Sequence, residues 1–202
     1  EIKKVKNHKL AYTSSVATLG LTNKTALSST EDTPVCFSDM IGDYKKSKYL
    51  AEKLVIDYIN NGSIKSVILN PSTPIGSGDI KPTPTGNIIL QLLRNKMPGY
   101  VDTGLNFVHV NDVALGHFQA LKSGTLGEKY ILGGENMSLK TFLEKVADFG
   151  NVPKPRIKLI SSPLYPLAYL NQLFAFLLRY DPMLTIDGLR MSEKKMYFSS
   201  EK

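Results

Sequence analysis

The chain has 202 residues, 42% of them hydrophobic and 21% charged, which is enough apolar material for a packed core and excludes wholesale disorder. Its 25 basic and 18 acidic residues leave a net charge of +7, but the excess lies in short lysine runs without a zinc-finger, helix-turn-helix or RNA-binding signature, so no nucleic-acid partner is expected. One cysteine, Cys36, excludes an internal disulfide, and with three scattered histidines no metal site is expected.

In chain order, Leu10 to Val16 predicts a short buried strand that runs into small hydroxyl residues. Thr22 to Pro34 is polar and turn-rich and predicts a loop, in which Glu31-Asp32 is expected to be solvated. A helix is expected from Ser38 or Asp39, both good N-caps, with apolar positions Leu50, Ala51, Leu54, Val55, Tyr58 and Ile59 at helical spacing. Asn61-Gly62 supplies its stop. Ser66 to Leu69 then predicts a strand closed by Asn70-Pro71, completing a strand–helix–strand unit of a parallel α/β sheet.

A proline- and glycine-punctuated loop is expected from Pro71 to Gly86, followed by a helix from about Asn87 to Asn95. Leu105 to Val110 predicts a strand, Asn111-Asp112 a cap, and Val113 to Leu121 a helix in which His117 is ordinary. His109, at the end of the strand, is expected to pack and hydrogen-bond rather than react. Lys129 to Leu132 predicts a strand stopped by Gly133-Gly134, and Ser138 caps a helix ending at Gly150. Leu164 to Leu178 is apolar nearly all round and is broken by Pro166, Asn171 and Gln172. It is too short for a comfortable membrane span and predicts a helix buried in a small lid or at a subunit contact, with membrane-surface contact as the lesser alternative.

The residues richest in chemistry are Tyr44 and Lys48, one helical turn apart on one face. A phenol with an ordinary pKa of about 10 is a poor acid–base group at neutral pH. A neighbouring ammonium favours the phenolate, so Tyr44 can exchange a proton with a substrate hydroxyl or carbonyl. A neutral donor such as Ser15 can steady the substrate oxygen as charge develops. Ser15 ends one predicted strand 29 positions before Tyr44, and Asn70-Pro71-Ser72 ends the next. In open α/β sheets ligands bind at such carboxyl ends.

Tyr12-Thr13-Ser14-Ser15-Val16-Ala17-Thr18-Leu19-Gly20, Tyr44-x-x-x-Lys48 and Asn70-Pro71-Ser72 in this order resemble the extended short-chain dehydrogenase/reductases, which include NAD-dependent sugar epimerases, dehydratases and dihydroflavonol reductases. Asn70-Pro71-Ser72-Thr73-Pro74, Asp79-Ile80-Lys81-Pro82-Thr83-Pro84-Thr85-Gly86, Tyr100-Val101-Asp102-Thr103-Gly104 and Ile131-Leu132-Gly133-Gly134-Glu135-Asn136 are most similar to the hopanoid-associated sugar epimerase branch. The resemblance implies a Rossmann-like parallel α/β fold and NAD or NADP as cofactor. It implies Ser15, Tyr44 and Lys48 as the catalytic set, with Tyr44 and Lys48 also holding the nicotinamide ribose. Ser14, Pro71 and Ser72 would line the nicotinamide site, and Asn70 and Thr85 would hold the substrate.

Family members open with a strand, a Gly-x-x-Gly-x-x-Gly turn and a helix that binds the cofactor pyrophosphate, and no such pattern occurs in these residues. Gly76-x-Gly78 is followed by Asp-Ile-Lys-Pro and is no substitute. The expectation is therefore a fragment lacking its leading βαβαβ half of roughly 100 residues, with the end clipped as well, unable to retain NAD(H) alone and exposing an apolar sheet edge. Residues 1–75 are expected to form the latter part of the nucleotide-binding domain. Residues 76–202 are expected to form mainly a substrate-binding region interleaved with the last sheet elements.

The resemblance implies a cytoplasmic sugar or nucleotide-sugar epimerase, homodimeric when intact. Two alternatives stand beside it: an NADPH carbonyl reductase of the dihydroflavonol type, and a degenerate, non-catalytic binding module.

Overall fold

A computed structural model describes residues 8–22, 28–97, 99–160, 162–179 and 185–202. Two compact units emerge. The first comprises the chain up to Asp79, Asn106–Asn136 and Tyr197–Lys202, and the second Ile80–Leu105 and Met137–Met196.

The first unit is built on three parallel strands in the order β1-β2-β6, where β1 is Lys9–Thr13, β2 is Lys65–Pro71 and β6 is Lys129–Leu132. Register runs from Lys9↔Lys65 to Thr13↔Leu69 on one side of β2 and from Ile68↔Lys129 to Pro71↔Leu132 on the other. As the central strand, β2 is buried from Ser66 to Pro71, which is why it lacks the alternation of a half-exposed strand. Val67 and Leu69 form the core with Ala120, and Ala11, Tyr130 and Leu132 pack on it. The polar Ser66 is tolerated there because its hydroxyl donates to the Leu10 carbonyl at 3.1 Å.

Helix α1, Gly42–Asn60, lies against a 3-10 turn at Val16–Thr18 that follows β1. The expected start at Ser38 or Asp39 is corrected. Asp39 Oδ2 instead accepts from the Cys36 backbone N–H at 2.9 Å within a separate 3-10 turn, Phe37–Asp39. The N-cap of α1 is Ile41, whose side chain can cap nothing. The expected stop holds, with Asn61 as C-cap and Gly62 at φ +72°, a conformation that costs glycine little. The side chains that α1 buries are Lys45 and Glu52, while Leu50 and Leu54 of the apolar stripe stay exposed.

The expected loop after β2 is also corrected, since it contains β3, Thr73–Ile75, which pairs in parallel with Phe107–His109. Those residues belong to β5, Gly104–His109. Helix α3, Val110–Ser123, starts earlier than Asn111-Asp112 suggest. His109 is its N-cap, and the ring nitrogen Nδ1 accepts from the Asn111 backbone N–H at 3.2 Å.

Gly20 closes the segment after the 3-10 turn, and a Cβ there would lie 2.2 Å from the Pro34 carbonyl oxygen. Backbone cannot retreat as a flexible side chain does, so Gly20→Ala is expected to cost about 1–3 kcal/mol in urea unfolding. An unchanged midpoint would show that the 33–34 backbone yields.

In the second unit, α2 (Pro84–Leu93) packs on α4 (Leu139–Gly150), and α4 on the two-residue strand β4 (Tyr100–Val101). Helix α2 starts three residues before the expected Asn87, because Pro84 at its first turn carries a preset φ and the Thr83 hydroxyl accepts from the Gly86 N–H at 3.1 Å. Ser138 caps α4 as expected, accepting from the Thr141 N–H at 3.0 Å. Strand β4 pairs with β8, Lys158–Leu159, and the start of β5 with β9, Lys195–Met196. Strand β7, Glu135–Ser138, neighbours β5 in the sheet.

Helix α5, Tyr165–Leu178, packs on α6, Ile186–Ser192. Its large side chains are not buried within the described residues, which corrects the expected burial in a small lid. Ala168 and Ala175 face inward, whereas Leu167, Leu170, Phe174, Leu177 and Leu178 are exposed. Among the described residues, no helix is long and apolar enough to cross a membrane.

Candidate functional site

Parallel pairing of β1 and β2 brings their carboxyl ends side by side, and the Ser14 N–H donates to the Leu69 carbonyl at 2.7 Å. Ser15 follows in extended backbone and caps the 3-10 turn, its Oγ accepting from the Ala17 N–H at 3.1 Å. That bond occupies a lone pair and leaves the hydroxyl proton available to a ligand oxygen. Asn70, at the end of β2, donates through Nδ2 to the Ser15 carbonyl at 2.9 Å. Ser14, Ser15 and Asn70 are thus brought together.

Tyr44 and Lys48 stand one turn apart on α1, the helix that packs against the Ser15 turn. Tyr44 is 62% exposed, so its phenol is open to a ligand, and Lys48 is half-buried. Pro71 is buried and Ser72 half-buried beyond Asn70. The side-chain atoms Asn70 Oδ1 and Ser72 Oγ are buried with no hydrogen-bond partner among the described residues. Buried polar atoms left in this state mark a place where a ligand or water completes the bonding. Thr85 lies in the first turn of α2, in the second unit.

The residue that sequence reasoning missed is Glu52. It is 3% exposed, and its carboxylate collects donors from β2, β6 and the segment that follows β1. Oε2 accepts from Ser14 Oγ in a short hydrogen bond, from Thr18 Oγ1 at 2.7 Å and from Asn70 Nδ2 at 2.8 Å. Oε1 pairs with the Lys129 ammonium at 2.6 Å. Burial pushes the carboxyl upward, but the hydrogen bonds and the Lys129 charge outweigh it and hold the group below its ordinary value. The available signal was positional. Glu52 stands four residues after Lys48 and interrupts an apolar run, where an unpaired carboxylate would be costly.

Neighbouring groups differ in kind. Burial, and after it the Glu52 charge, raises the Tyr12 phenol. Burial lowers Lys45, for which no carboxylate partner occurs among the described residues. His117 lies within α3 and makes a hydrogen bond at each ring nitrogen. Its Nδ1 lies 2.7 Å from the Val113 carbonyl, which can only accept, so Nδ1 carries a proton and Nε2 meets Thr13 Oγ1 at 2.8 Å. Glu31 is not merely solvated, since Oε1 accepts from the Ile131 N–H at 2.8 Å. Among the described residues no cluster of histidine, cysteine or carboxylates suits a metal ion.

The sequence model of the NAD dependent epimerase/dehydratase family matches residues 1–133. A Synechocystis sp. protein provisionally named as a dihydroflavonol 4-reductase is 42% identical over 199 residues, covering 95% of this chain and 56% of that protein. Sterol demethylase protein B of Methylococcus capsulatus is 27% identical over 157 residues, covering 78% of this chain and 47% of that protein. Among solved structures, gox2253 superposes with a TM-score of 0.83 at 47% identity, over 98% of this chain and 60% of its own. A nucleoside-diphosphate-sugar epimerase from Pseudomonas aeruginosa, 23% identical, shares the fold with a TM-score of 0.67, over 95% of this chain and 61% of its own. The chain spans 56% of the length of the Synechocystis protein and 60% of that of gox2253.

Proposed function

The chain belongs to the NAD dependent epimerase/dehydratase family, and from that premise we propose that the whole protein interconverts a secondary alcohol and a ketone on a sugar or nucleotide sugar, with NAD or NADP as cofactor and epimerisation as the outcome. The observation that carries this reading is the exposed Tyr44 with Lys48 one turn behind it, on the helix packed against the Ser15 turn.

The residues fit the nicotinamide end of such a cofactor. Two orphaned polar atoms, Asn70 Oδ1 and Ser72 Oγ, lie at and just past the end of β2, with Pro71 between them in the chain. In this reading Ser14, Pro71 and Ser72 line the nicotinamide, Tyr44 and Lys48 hold its ribose, and Asn70 and Thr85 face the substrate. When bound, the cofactor supplies or removes a hydride at the carbon that bears the hydroxyl. Tyr44 Oη takes up or returns the hydroxyl proton. Ser15 donates to the same substrate oxygen.

A second reading, net reduction of a carbonyl, is favoured by the 42% identical Synechocystis relative. The two differ in what happens to the cofactor. With a catalytic amount of NAD(P), epimerisation yields the isomeric sugar and no net change at 340 nm, a band that reduced nicotinamide alone supplies. Reduction consumes NADPH one for one with product. The expected result with a panel of nucleotide sugars is isomer without net oxidation, and stoichiometric NADPH loss with a ketone substrate would replace the first reading by the second.

A further inference from the structure

Tyr44, Lys48 and Glu52 follow one another in steps of four, so their side chains form a single stripe along α1. The first two face a ligand, in the reading above, and the third is buried beneath them with every donor it meets drawn from another element. Ser14 follows β1, Thr18 lies in the 3-10 turn, Asn70 is near the end of β2 and Lys129 begins β6. A buried carboxylate needs this many partners to be tolerated at all, but four partners from four segments do more than satisfy it. They set the height of α1 against the strand ends.

The coupling to Ser15 is direct. One Asn70 amide nitrogen reaches Glu52 Oε2 at 2.8 Å and the Ser15 carbonyl at 2.9 Å. Thr18 Oγ1 likewise stands 2.7 Å from Glu52 and 2.8 Å from the Ser15 carbonyl, its one proton within reach of both. No local cap fixes the start of α1, since the Ile41 side chain makes no hydrogen bond there. We propose that Glu52 is a positioning residue: its carboxylate clamps the helix carrying Tyr44 and Lys48 to the turn carrying Ser15, and so holds phenol, ammonium and hydroxyl in one register. This inference rests on the assignment of those three as the reacting groups.

Positioning has to be separated from plain stabilisation, because Glu52→Gln strands the Lys129 charge and can fail to fold. The variant that separates them is Glu52→Leu combined with Lys129→Met. It removes both charges with little change in side-chain volume, and it leaves Ser14 Oγ, Thr18 Oγ1 and Asn70 Nδ2 without the oxygen that all three share. In the double variant of the whole protein, amide exchange over residues 14–19 is expected to quicken about tenfold or more while β2 and α3 keep their protection. Turnover is expected to fall at least tenfold with KM within about twofold, since substrate contacts are intact and only alignment is lost.

Unchanged exchange over 14–19 would overturn the clamp, as would a double variant with the turnover of the unaltered protein, which would mean that charge balance alone mattered. Tyr44→Phe tests the assignment beneath. Turnover that survives it overturns that assignment and the positioning role with it, whereas a failed exchange measurement removes the clamp and leaves the Tyr44 chemistry standing.

Discussion

Replacing Tyr44 by phenylalanine is expected to lower turnover of the whole protein by about 10²–10⁴-fold, the range that a positioned acid–base group supplies. The physical case is the placement of the group. Tyr44 is 62% exposed, so removing its oxygen opens no cavity and leaves no buried partner unpaired. The substitution should therefore leave the urea midpoint within about 0.5 kcal/mol of the original, as for an ordinary surface change. Steady-state kinetics and equilibrium unfolding on the same preparation check both halves. Retained turnover sinks the acid–base role, and loss of turnover together with loss of folding would leave the role without support.

Glu52→Ala should have the largest effect on stability. Breaking a buried ion pair by removing one partner costs about 3–5 kcal/mol, because the other charge stays behind unpaired. Here the survivor is Lys129, whose side chain is 25% exposed and so partly hydrated, which moves the expectation to about 3 kcal/mol. The loss of an acceptor for Ser14, Thr18 and Asn70 acts in the same direction. At about 2–4 °C per kcal/mol for a chain of this size, the melting midpoint should drop by roughly 6–12 °C at pH 7.

The effect should also depend on pH in a defined sense. The folded state holds the Glu52 carboxyl below its ordinary 4.5, so the unfolded chain binds the proton more readily. The contribution of Glu52 is fully present above pH 4.5 and fades as pH falls from there through the lower folded-state value. The gap between the unaltered protein and Glu52→Ala should close in that acid range and remain constant between pH 6 and 8. A gap that is equally wide at pH 3 would show that the carboxylate charge is not what matters.

The parts of the fold that were legible in advance are those written in local chemistry. Ser138 as a cap, Asn61-Gly62 as a stop and Lys129–Leu132 as a strand depend on a few consecutive residues, and each appears where the pattern put it. Errors fell where a distant or unexpected group took over a local task. His109 displaced Asn111-Asp112 as the cap of α3, because an imidazole nitrogen can accept from the helix as well as a short side chain does. Glu31 looked solvated because its partner, the Ile131 N–H, is 100 positions away. Helix α5 turned its alanines inward, an arrangement that apolar content alone could not distinguish from the reverse.

The candidate site divides along the same line. The sequence alone determined that Tyr44 and Lys48 share a helix face and that Ser15 and Asn70 end neighbouring strands, since helical spacing and strand punctuation are properties of adjacent residues. Only the tertiary structure decided how the helix sits against those strand ends. Its register depends on bonds from Glu52 to Ser14, Thr18 and Asn70, at separations of 38, 34 and 18 positions, and to Lys129 farther on. A carboxylate chooses partners by distance in space and by the cost of being buried without them. Neither quantity exists until the strands have paired.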